Sequence, residues 1–131
     1  MIVVDTSALV AMLASELHAS ACETVFQSEN RVLISAGTIL EALIVATRRG
    51  FGQQMRELLT SPAIEVVEVT LERSELAADA YSRWGKGIHP ASLNYGDCFS
   101  YATAKEFGCP LLFIGNDFSQ TDIEPAIPNL M

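Results

Sequence analysis

The chain has 131 residues and a net charge of −8; half of its residues are hydrophobic and only 18% are charged. This composition supports a buried core and excludes a mostly disordered chain. The length suits one domain, which we expect to span residues 1–131. The longest apolar run covers seven residues, Ala8 to Ala14. A membrane-spanning helix needs about 18 or more, so we expect no membrane association.

We expect no signal for secretion, because Asp5 interrupts the first apolar segment and no basic residue precedes it. We therefore expect a cytoplasmic protein. Its three cysteines, Cys22, Cys98 and Cys109, are widely spaced and odd in number, which excludes a disulfide framework and a thiolate metal site. The excess of 16 acidic over 8 basic residues disfavours attraction of nucleic acid by bulk charge.

Short apolar segments alternate with helical patterns along the chain. The strands predicted by this pattern are residues 1–4, 31–35, 64–69 and 111–114. The predicted helices are residues 8–14, 17–27, 38–49, 53–59, 71–84 and 95–107. The expected helix caps are Ser7, Thr70 and Asn94 at the starts and Gly50 and Gly108 at the ends. The alternation predicts an α/β fold with a mainly parallel sheet between layers of helices.

Two aspartates follow predicted strands. Asp5 comes directly after the first strand, and Asp117 follows the last one. In parallel sheets, binding sites lie beyond the carboxyl ends of the strands, so both carboxylates are expected at that edge. Taken singly, each also suits an ordinary turn or helix cap.

Glu41 and Asp97 lie in predicted helices. Glu41 is the only charged residue between Val32 and Thr47, in a segment so apolar that the helix is expected to be buried nearly all round. A lone buried carboxylate is costly unless it is paired or binds a metal ion; a dipole-favoured or surface position is the alternative. Asp97 is expected in the first turn of its helix, with Asn94 as the cap and its own carboxylate free.

A parallel sheet would gather these acids into one pocket. Two charges 4 Å apart repel by about 4 kcal/mol at an effective dielectric constant of 20, so four carboxylates together require cations. An oxygen-only ligand set suits Mg²⁺ or Mn²⁺ rather than zinc. Such ions support phosphoryl transfer by activating water and stabilising the leaving oxygen.

Several stretches of the chain carry a family resemblance. They are the opening MIVVDTSAL, Glu41 in its apolar helix, the segment KGIHPASLNYGDCFSYATAKEFGCPLLFIGNDF and residues 120–123. These stretches resemble the PIN-domain ribonucleases and, among them, the VapC-type toxins of bacterial toxin–antitoxin pairs. The resemblance implies a three-layer α/β/α PIN fold over residues 1–131.

The resemblance also implies roles for particular residues. Asp5, Glu41, Asp97 and Asp117 would form an acidic quartet that holds Mg²⁺ or Mn²⁺, with Asp5 and Asp97 as the principal ligands. Ser7 and Thr121 match polar positions that orient water or carboxylates. The implied activity is endonucleolytic cleavage of single-stranded RNA by metal-activated water. The implied partners are a second copy of the chain, forming a homodimer, and a small cognate antitoxin similar to VapB.

Other interpretations of the sequence stay open. A PIN-like module that binds a protein partner without cleaving RNA is the main alternative. Metal-free cleavage by His18 and His89 is disfavoured, because nothing in the sequence links them. Tyr81, Trp84, Tyr95 and Phe99 are candidates for stacking on bases, but the helical spacing of Tyr81 and Trp84 favours the core or an interface, and stacking is not the favoured interpretation. The apolar residues of the first two helices suit either core packing or a partner surface.

Basic residues are few, so RNA phosphates are expected to contact the metal ions and only some of the available cations. The candidates are Arg48, Arg49, Arg56, Arg83, Lys86 and Lys105.

Overall fold

A computed structural model describes residues 1–128. It contains four strands, β1 (Ile2–Val4), β2 (Val32–Ser35), β3 (Glu65–Val67) and β4 (Leu111–Leu112). It contains six helices within these residues, α1 (Thr6–Leu13), α2 (Ala19–Ser28), α3 (Ala36–Arg49), α4 (Gly52–Leu59), α5 (Leu71–Trp84) and α6 (Tyr95–Phe107). The last three residues of the domain predicted over 1–131 lie outside this description.

The four strands form one parallel sheet in the order β3-β2-β1-β4. In the register of the central pair, Val3 lies beside Leu33, and on the other side of β1 it lies beside Leu111. All four strands therefore end at the same edge of the sheet. This arrangement confirms the predicted α/β class with a parallel sheet.

Side chains that alternate along the strands pack into two separate cores, one on each face of the sheet. Val3 points into a core completed by α5 and α6. Ile2 and Val4 point into a second core completed by α1, α3 and α4. The molecule is therefore a three-layer α/β/α sandwich, and the expected fold is confirmed.

Several predicted boundaries differ from the structure. The helix cap after β1 is Asp5, whose carboxylate accepts from the Ser7 backbone, and not Ser7 itself. Ser35 caps α3, which begins two residues before the predicted start. The predicted caps Thr70, Asn94, Gly50 and Gly108 are confirmed.

The last strand is shorter than the sequence predicts. β4 ends at Leu112 rather than residue 114, because the chain turns away from the sheet after two paired residues. Asp117 consequently lies in an exposed turn several residues beyond the strand. The segment that follows β4 still leaves the sheet at the same edge as Asp5, since β1 and β4 are parallel.

The helix that carries Glu41 is only partly covered. Leu40 is 62% exposed and Ile44 is 50% exposed, so the expectation that α3 is buried nearly all round is wrong: one side of this helix faces solvent. The first two helices show the opposite outcome. Leu9 and Val10 are core residues and Phe26 packs against that core, which favours core packing for most of their apolar surface.

No helix within residues 1–128 is long and apolar enough to cross a membrane.

Candidate functional site

Asp5 lies at the junction of β1 and α1, where it is only 4% exposed. Its Oδ2 accepts from the Ser7 backbone N at 3.1 Å and from Ser7 Oγ at 2.7 Å. Its Oδ1 accepts from Ser100 Oγ at 2.5 Å. Both carboxylate oxygens are therefore fixed by neighbours on different helices. Ser7 contacts the predicted site as expected for a residue that orients a carboxylate.

Ser100 is a site residue that the sequence does not identify. Its hydroxyl lies 3.2 Å from Thr38 Oγ1, and all three polar groups in this chain of contacts are buried. The contacts join the end of β1 to the middle of α6 and the start of α3. Ser100 thereby links the three elements that carry Asp5, Glu41 and Asp97.

Glu41 is half-buried and points toward the N-terminus of α6. Its Oε1 accepts from Thr6 Oγ1 at 2.6 Å. Its Oε2 lies so close to Gly96 that a Cβ atom at position 96 would overlap it. A side chain at this position would displace the carboxylate, so a glycine directly before Asp97 permits the approach of Glu41.

Asp97 is part of a capping box at the start of α6. Its backbone N donates to Asn94 Oδ1 at 2.9 Å, and its Oδ2 accepts from the Asn94 backbone N at 3.0 Å. The side chain is only 5% exposed. The expectation that its carboxylate is free is therefore wrong for one oxygen: Asp97 occupies the N3 position, from which a carboxylate reaches back to the N-cap.

Asp117 lies at the exposed tip of the turn after β4, and within residues 1–128 its side chain forms no hydrogen bond. The base of this turn is held against the site, because the Ile114 backbone N donates to Ser7 Oγ at 3.0 Å. Thr121 has a different role from the predicted one. Its hydroxyl donates to the Phe118 carbonyl at 2.7 Å and stabilises the turn itself, without contacting an acid.

The four acids form one electrostatic unit, here called the acidic cluster (Asp5, Glu41, Asp97 and Asp117). Burial is the main reason that the pKa of Asp97 rises from 3.8 to about 7, and the hydrogen bond from Asn94 opposes this rise. The charges of the other three acids raise the pKa of Asp97 further. Charges affect one another in this way only at short range, so Asp5, Glu41 and Asp117 lie within electrostatic range of Asp97.

Glu41 responds to the same neighbours. Burial raises the pKa of its carboxyl group, the hydrogen bond from Thr6 lowers it, and the charges of Asp5 and Asp117 raise it again. Within residues 1–128, none of the four carboxylates forms an ion pair with a basic group. The negative charge of the acidic cluster is therefore uncompensated by protein cations.

The donor atoms of the acidic cluster fit a hard divalent cation. Glu41 Oε2 and Asp97 Oδ1 accept no hydrogen bond, and no buried side-chain oxygen of the described chain lacks a partner. Both oxygens are therefore open to solvent, and carboxylate oxygens are the ligands preferred by Mg²⁺ and Mn²⁺. Within residues 1–128, no group of three or more acidic, histidine or cysteine side chains is arranged to hold a metal ion. The fit of the acidic cluster to a divalent cation therefore rests on its carboxylate oxygens and on the negative charge of its four members.

The histidines lie outside the acidic cluster. His89 Nδ1 accepts from the Ala91 backbone N at 3.0 Å, and its ring packs edge-on against Trp84 with centroids 4.7 Å apart. These contacts give His89 a structural role in the loop before α6. The expectation that Trp84 is a core residue is confirmed, whereas Tyr81 is 38% exposed.

Comparison with known proteins agrees with this geometry. The model of the PIN domain family matches residues 2–124. Ribonuclease VapC30 of Mycobacterium tuberculosis is 45% identical over 124 residues, which cover 92% of this chain and 95% of that protein. The chain belongs to the VapC-type PIN domains. Another relative, Ribonuclease VapC of Mycolicibacterium smegmatis, is 42% identical over 92% of this chain and 96% of its own length.

Solved structures show the same fold at low sequence identity. The toxin VapC20 of Mycobacterium tuberculosis, described as cleaving the sarcin-ricin loop, matches with a TM-score of 0.78 and 20% identity over 94% of this chain and 96% of that one. A toxin–antitoxin complex from Klebsiella pneumoniae matches with a TM-score of 0.70 and 17% identity over 100% of this chain and 96% of that one. The PIN-domain architecture is thus confirmed by sequence and by structure.

Proposed function

We propose that this PIN domain is a Mg²⁺- or Mn²⁺-dependent endoribonuclease that cleaves single-stranded RNA and acts as the toxin of a toxin–antitoxin pair. One observation supports it most strongly: the charges of neighbouring acids from separate parts of the chain raise the pKa values of Asp97 and Glu41, and no basic group within residues 1–128 pairs with any of the four carboxylates. A divalent cation would relieve the repulsion among these carboxylates, whose oxygens are its preferred ligands. The ribonuclease names of the relatives support the reaction class.

Each acid has a distinct task in this proposal. Asp5 and Asp97, held by Ser100 and Asn94, would hold the ion in a fixed position. Glu41 and Asp117 would complete the negative site from α3 and from the turn after β4. When bound, the ion supplies an activated water and stabilises the negative charge on the leaving oxygen.

The protein also controls protonation at the acidic cluster. With a pKa of about 7, Asp97 exchanges its proton near neutral pH, whereas an ordinary aspartate is ionised there. A bound cation favours the ionised form of every nearby carboxylate. Cation binding is therefore coupled to loss of the Asp97 proton.

The test is cleavage of single-stranded RNA by purified protein, with sequencing of the fragment ends. We expect cleavage with Mg²⁺ or Mn²⁺, none with EDTA, and none from an Asp97→Asn variant, which keeps the shape of the side chain and removes its charge. Glu75→Gln is the matched control, because Glu75 is an exposed acid of α5 outside the cluster.

Cleavage that persists in EDTA, or in Asp97→Asn at the wild-type rate, would contradict the metal-dependent mechanism. A folded wild-type protein that never cleaves RNA and still binds a partner would support the alternative, an inert PIN-like module.

We further propose a small antitoxin as the protein partner and a homodimer as the free form. The structural neighbours include a toxin–antitoxin complex, and an exposed apolar strip on α3 offers surface for a partner. An antitoxin that placed a basic side chain against the acidic cluster would gain charge-assisted hydrogen bonds. Because cellular RNA is the proposed substrate, the cytoplasm stays the expected location.

A further inference from the structure

A groove of about 760 Å³ runs between α5 and the N-terminal part of α6. Three aromatic residues line it, Tyr81 from α5 and Tyr95 and Phe99 from α6, together with small side chains such as Ala77. The residues that define this aromatic groove are Ala77, Tyr81, Lys86, Asn94, Tyr95 and Phe99.

The two tyrosine rings of the groove are exposed, whereas Phe99 is partly buried against the core. Tyr95 is 79% exposed, and its ring contacts Phe99 edge-on, with centroids 5.3 Å apart and planes at 84°. This contact leaves most of the Tyr95 ring in solvent. Exposed aromatic rings in a groove are the platform on which unpaired nucleobases stack.

The charge of the groove fits an RNA strand. Among the described residues that line it, Lys86 is the only charged one, although the whole chain carries a net charge of −8. Lys86 is exposed and, within residues 1–128, takes part in no ion pair. A single unpaired cation beside stacked rings suits a phosphodiester next to a base.

One end of the groove adjoins the acidic cluster through Asn94. Asn94 lines the groove and its backbone N donates to Asp97 Oδ2 at 3.0 Å. Phe99 lies against the start of α3, so close that a Cβ atom on Gly37 would be 2.6 Å from its ring. A strand whose phosphate reaches the acidic cluster therefore has its neighbouring nucleotide beside the groove.

Resting on the proposed function, we propose that the aromatic groove is a nucleobase subsite, where an unpaired base of the RNA substrate stacks on Tyr95 while Lys86 contacts the adjoining phosphate. Stacking reads the flat face of a base, so the subsite favours unstacked single strands over duplexes. The groove thus supplies the RNA contacts that the acidic protein surface lacks.

The test uses an Asp5→Asn background, in which RNA is expected to stay intact, and a fluorescent single-stranded RNA that contains 5-iodouridine. We expect Tyr95→Ala to weaken binding about fivefold or more, as measured by anisotropy. Tyr95→Phe, which keeps the ring, is expected to bind as the background does. Leu71→Ala is the matched control, because Leu71 is 77% exposed and lies outside the groove.

Two further measurements locate the base and the phosphate. Photo-crosslinking followed by mass spectrometry is expected to place the iodouridine on Tyr81, Tyr95 or Phe99. Lys86→Ala is expected to reduce the slope of log affinity against log salt concentration by about 1.

The outcomes separate this subsite from the proposed function. Normal cleavage with crosslinks elsewhere and no effect of Tyr95→Ala would overturn the subsite and leave the ribonuclease intact. Wild-type protein that neither binds nor cleaves RNA would overturn both. If Tyr95→Ala instead converts a dimer to a monomer in sedimentation without changing RNA binding per chain, the groove is a contact between two copies and the proposal fails.

Discussion

Within the acidic cluster, the buried pair Asp5 and Asp97 is held differently from the exposed Asp117. Asp5 and Asp97 are almost fully buried, and each is fixed by hydrogen bonds from the fold itself. Asp117 lies on an exposed turn, and in residues 1–128 nothing donates to its carboxylate. The buried pair therefore has a position before any cation binds, whereas Asp117 reaches the site through a turn whose tip is open to solvent.

The hydrogen bonds near Asp117 hold the two sides of its turn and not its carboxylate. The turn is anchored on both sides of Asp117, through Ile114 N to Ser7 and through Asp122, which accepts from Tyr101 and Lys105. These hydrogen bonds bring Asp117 near the other three acids without fixing its carboxylate. Preorganised ligands support catalysis more than mobile ones, so we expect the buried pair to dominate.

The largest expected effect comes from Asp5→Asn. The substitution removes a charge from the centre of the cluster and keeps the side-chain shape. Changes to groups that only orient metal ligands cost about 10–100-fold, so loss of a ligand is expected to lower RNA cleavage by about 100-fold or more. Circular dichroism should show an unchanged fold, and cleavage near the wild-type rate would remove Asp5 from the mechanism.

Ser100→Ala tests the positioning of the buried pair. Loss of the hydroxyl frees Asp5 Oδ1 and breaks the link to Thr38, so cleavage is expected to fall by about 10–100-fold. A positioning role also predicts that higher Mn²⁺ concentrations restore part of the rate, which a folding defect would not. Ser28→Ala, on the exposed end of α2, is the matched control; equal effects of the two changes would rule out this role.

Asp117→Asn is expected to have a smaller effect, at most about tenfold on cleavage. The exposed carboxylate contributes negative charge to the cluster, but it does not provide a ligand in a fixed position. The change should appear mainly as slower cleavage at low Mn²⁺ concentration, with little loss at saturation. A loss as large as that of Asp5→Asn would make the two ends of the cluster equivalent and contradict the comparison.

The smallest expected effect is the change of the free energy of unfolding with pH in metal-free protein. The pKa of Asp97 is about 7 in the folded chain and near 3.8 otherwise, so the folded state keeps a proton that the unfolded state releases. The contribution of Asp97 to the free energy of unfolding is therefore greatest at low pH and falls as the pH rises from about 4 to about 7. The raised pKa of Glu41 acts in the same direction.

Melting temperatures in EDTA measure this effect. We expect a loss of several degrees between about pH 5.5 and pH 7.5, and a smaller loss in Asp97→Asn, which has no proton to release at this position. Identical pH profiles for the two proteins would show that Asp97 does not titrate in this range.

Much of the fold could be predicted from the sequence because its local signals agree. The β-branched run before Asp5 marks the end of β1, and Arg48 and Arg49 in the last turn of α3, followed by Gly50, mark the end of that helix. The order of strands and helices then fixes a parallel sheet, and that sheet brings Asp5 and Asp117 to one edge. Family resemblance and chain topology therefore point to the same residues.

The contacts that hold the site could not be predicted in this way. Ser100 and Asp5 are 95 residues apart, and no local pattern distinguishes this serine from others in the chain. The approach of Glu41 to Gly96 depends on how α3 packs against α6. The exposure of Tyr95 and the early end of β4 likewise depend on tertiary packing, which the hydrophobic pattern does not encode residue by residue.

Calorimetric titration of metal-free protein with Mn²⁺ tests the central claim most directly. The account predicts saturable binding near neutral pH, with proton release detected as a dependence of the heat on the buffer, because Asp97 must ionise when the cation binds. It also predicts that Asp5→Asn abolishes this binding. No binding at millimolar Mn²⁺, or equal binding by wild type and Asp5→Asn, would contradict the proposal that these carboxylates form one cation site.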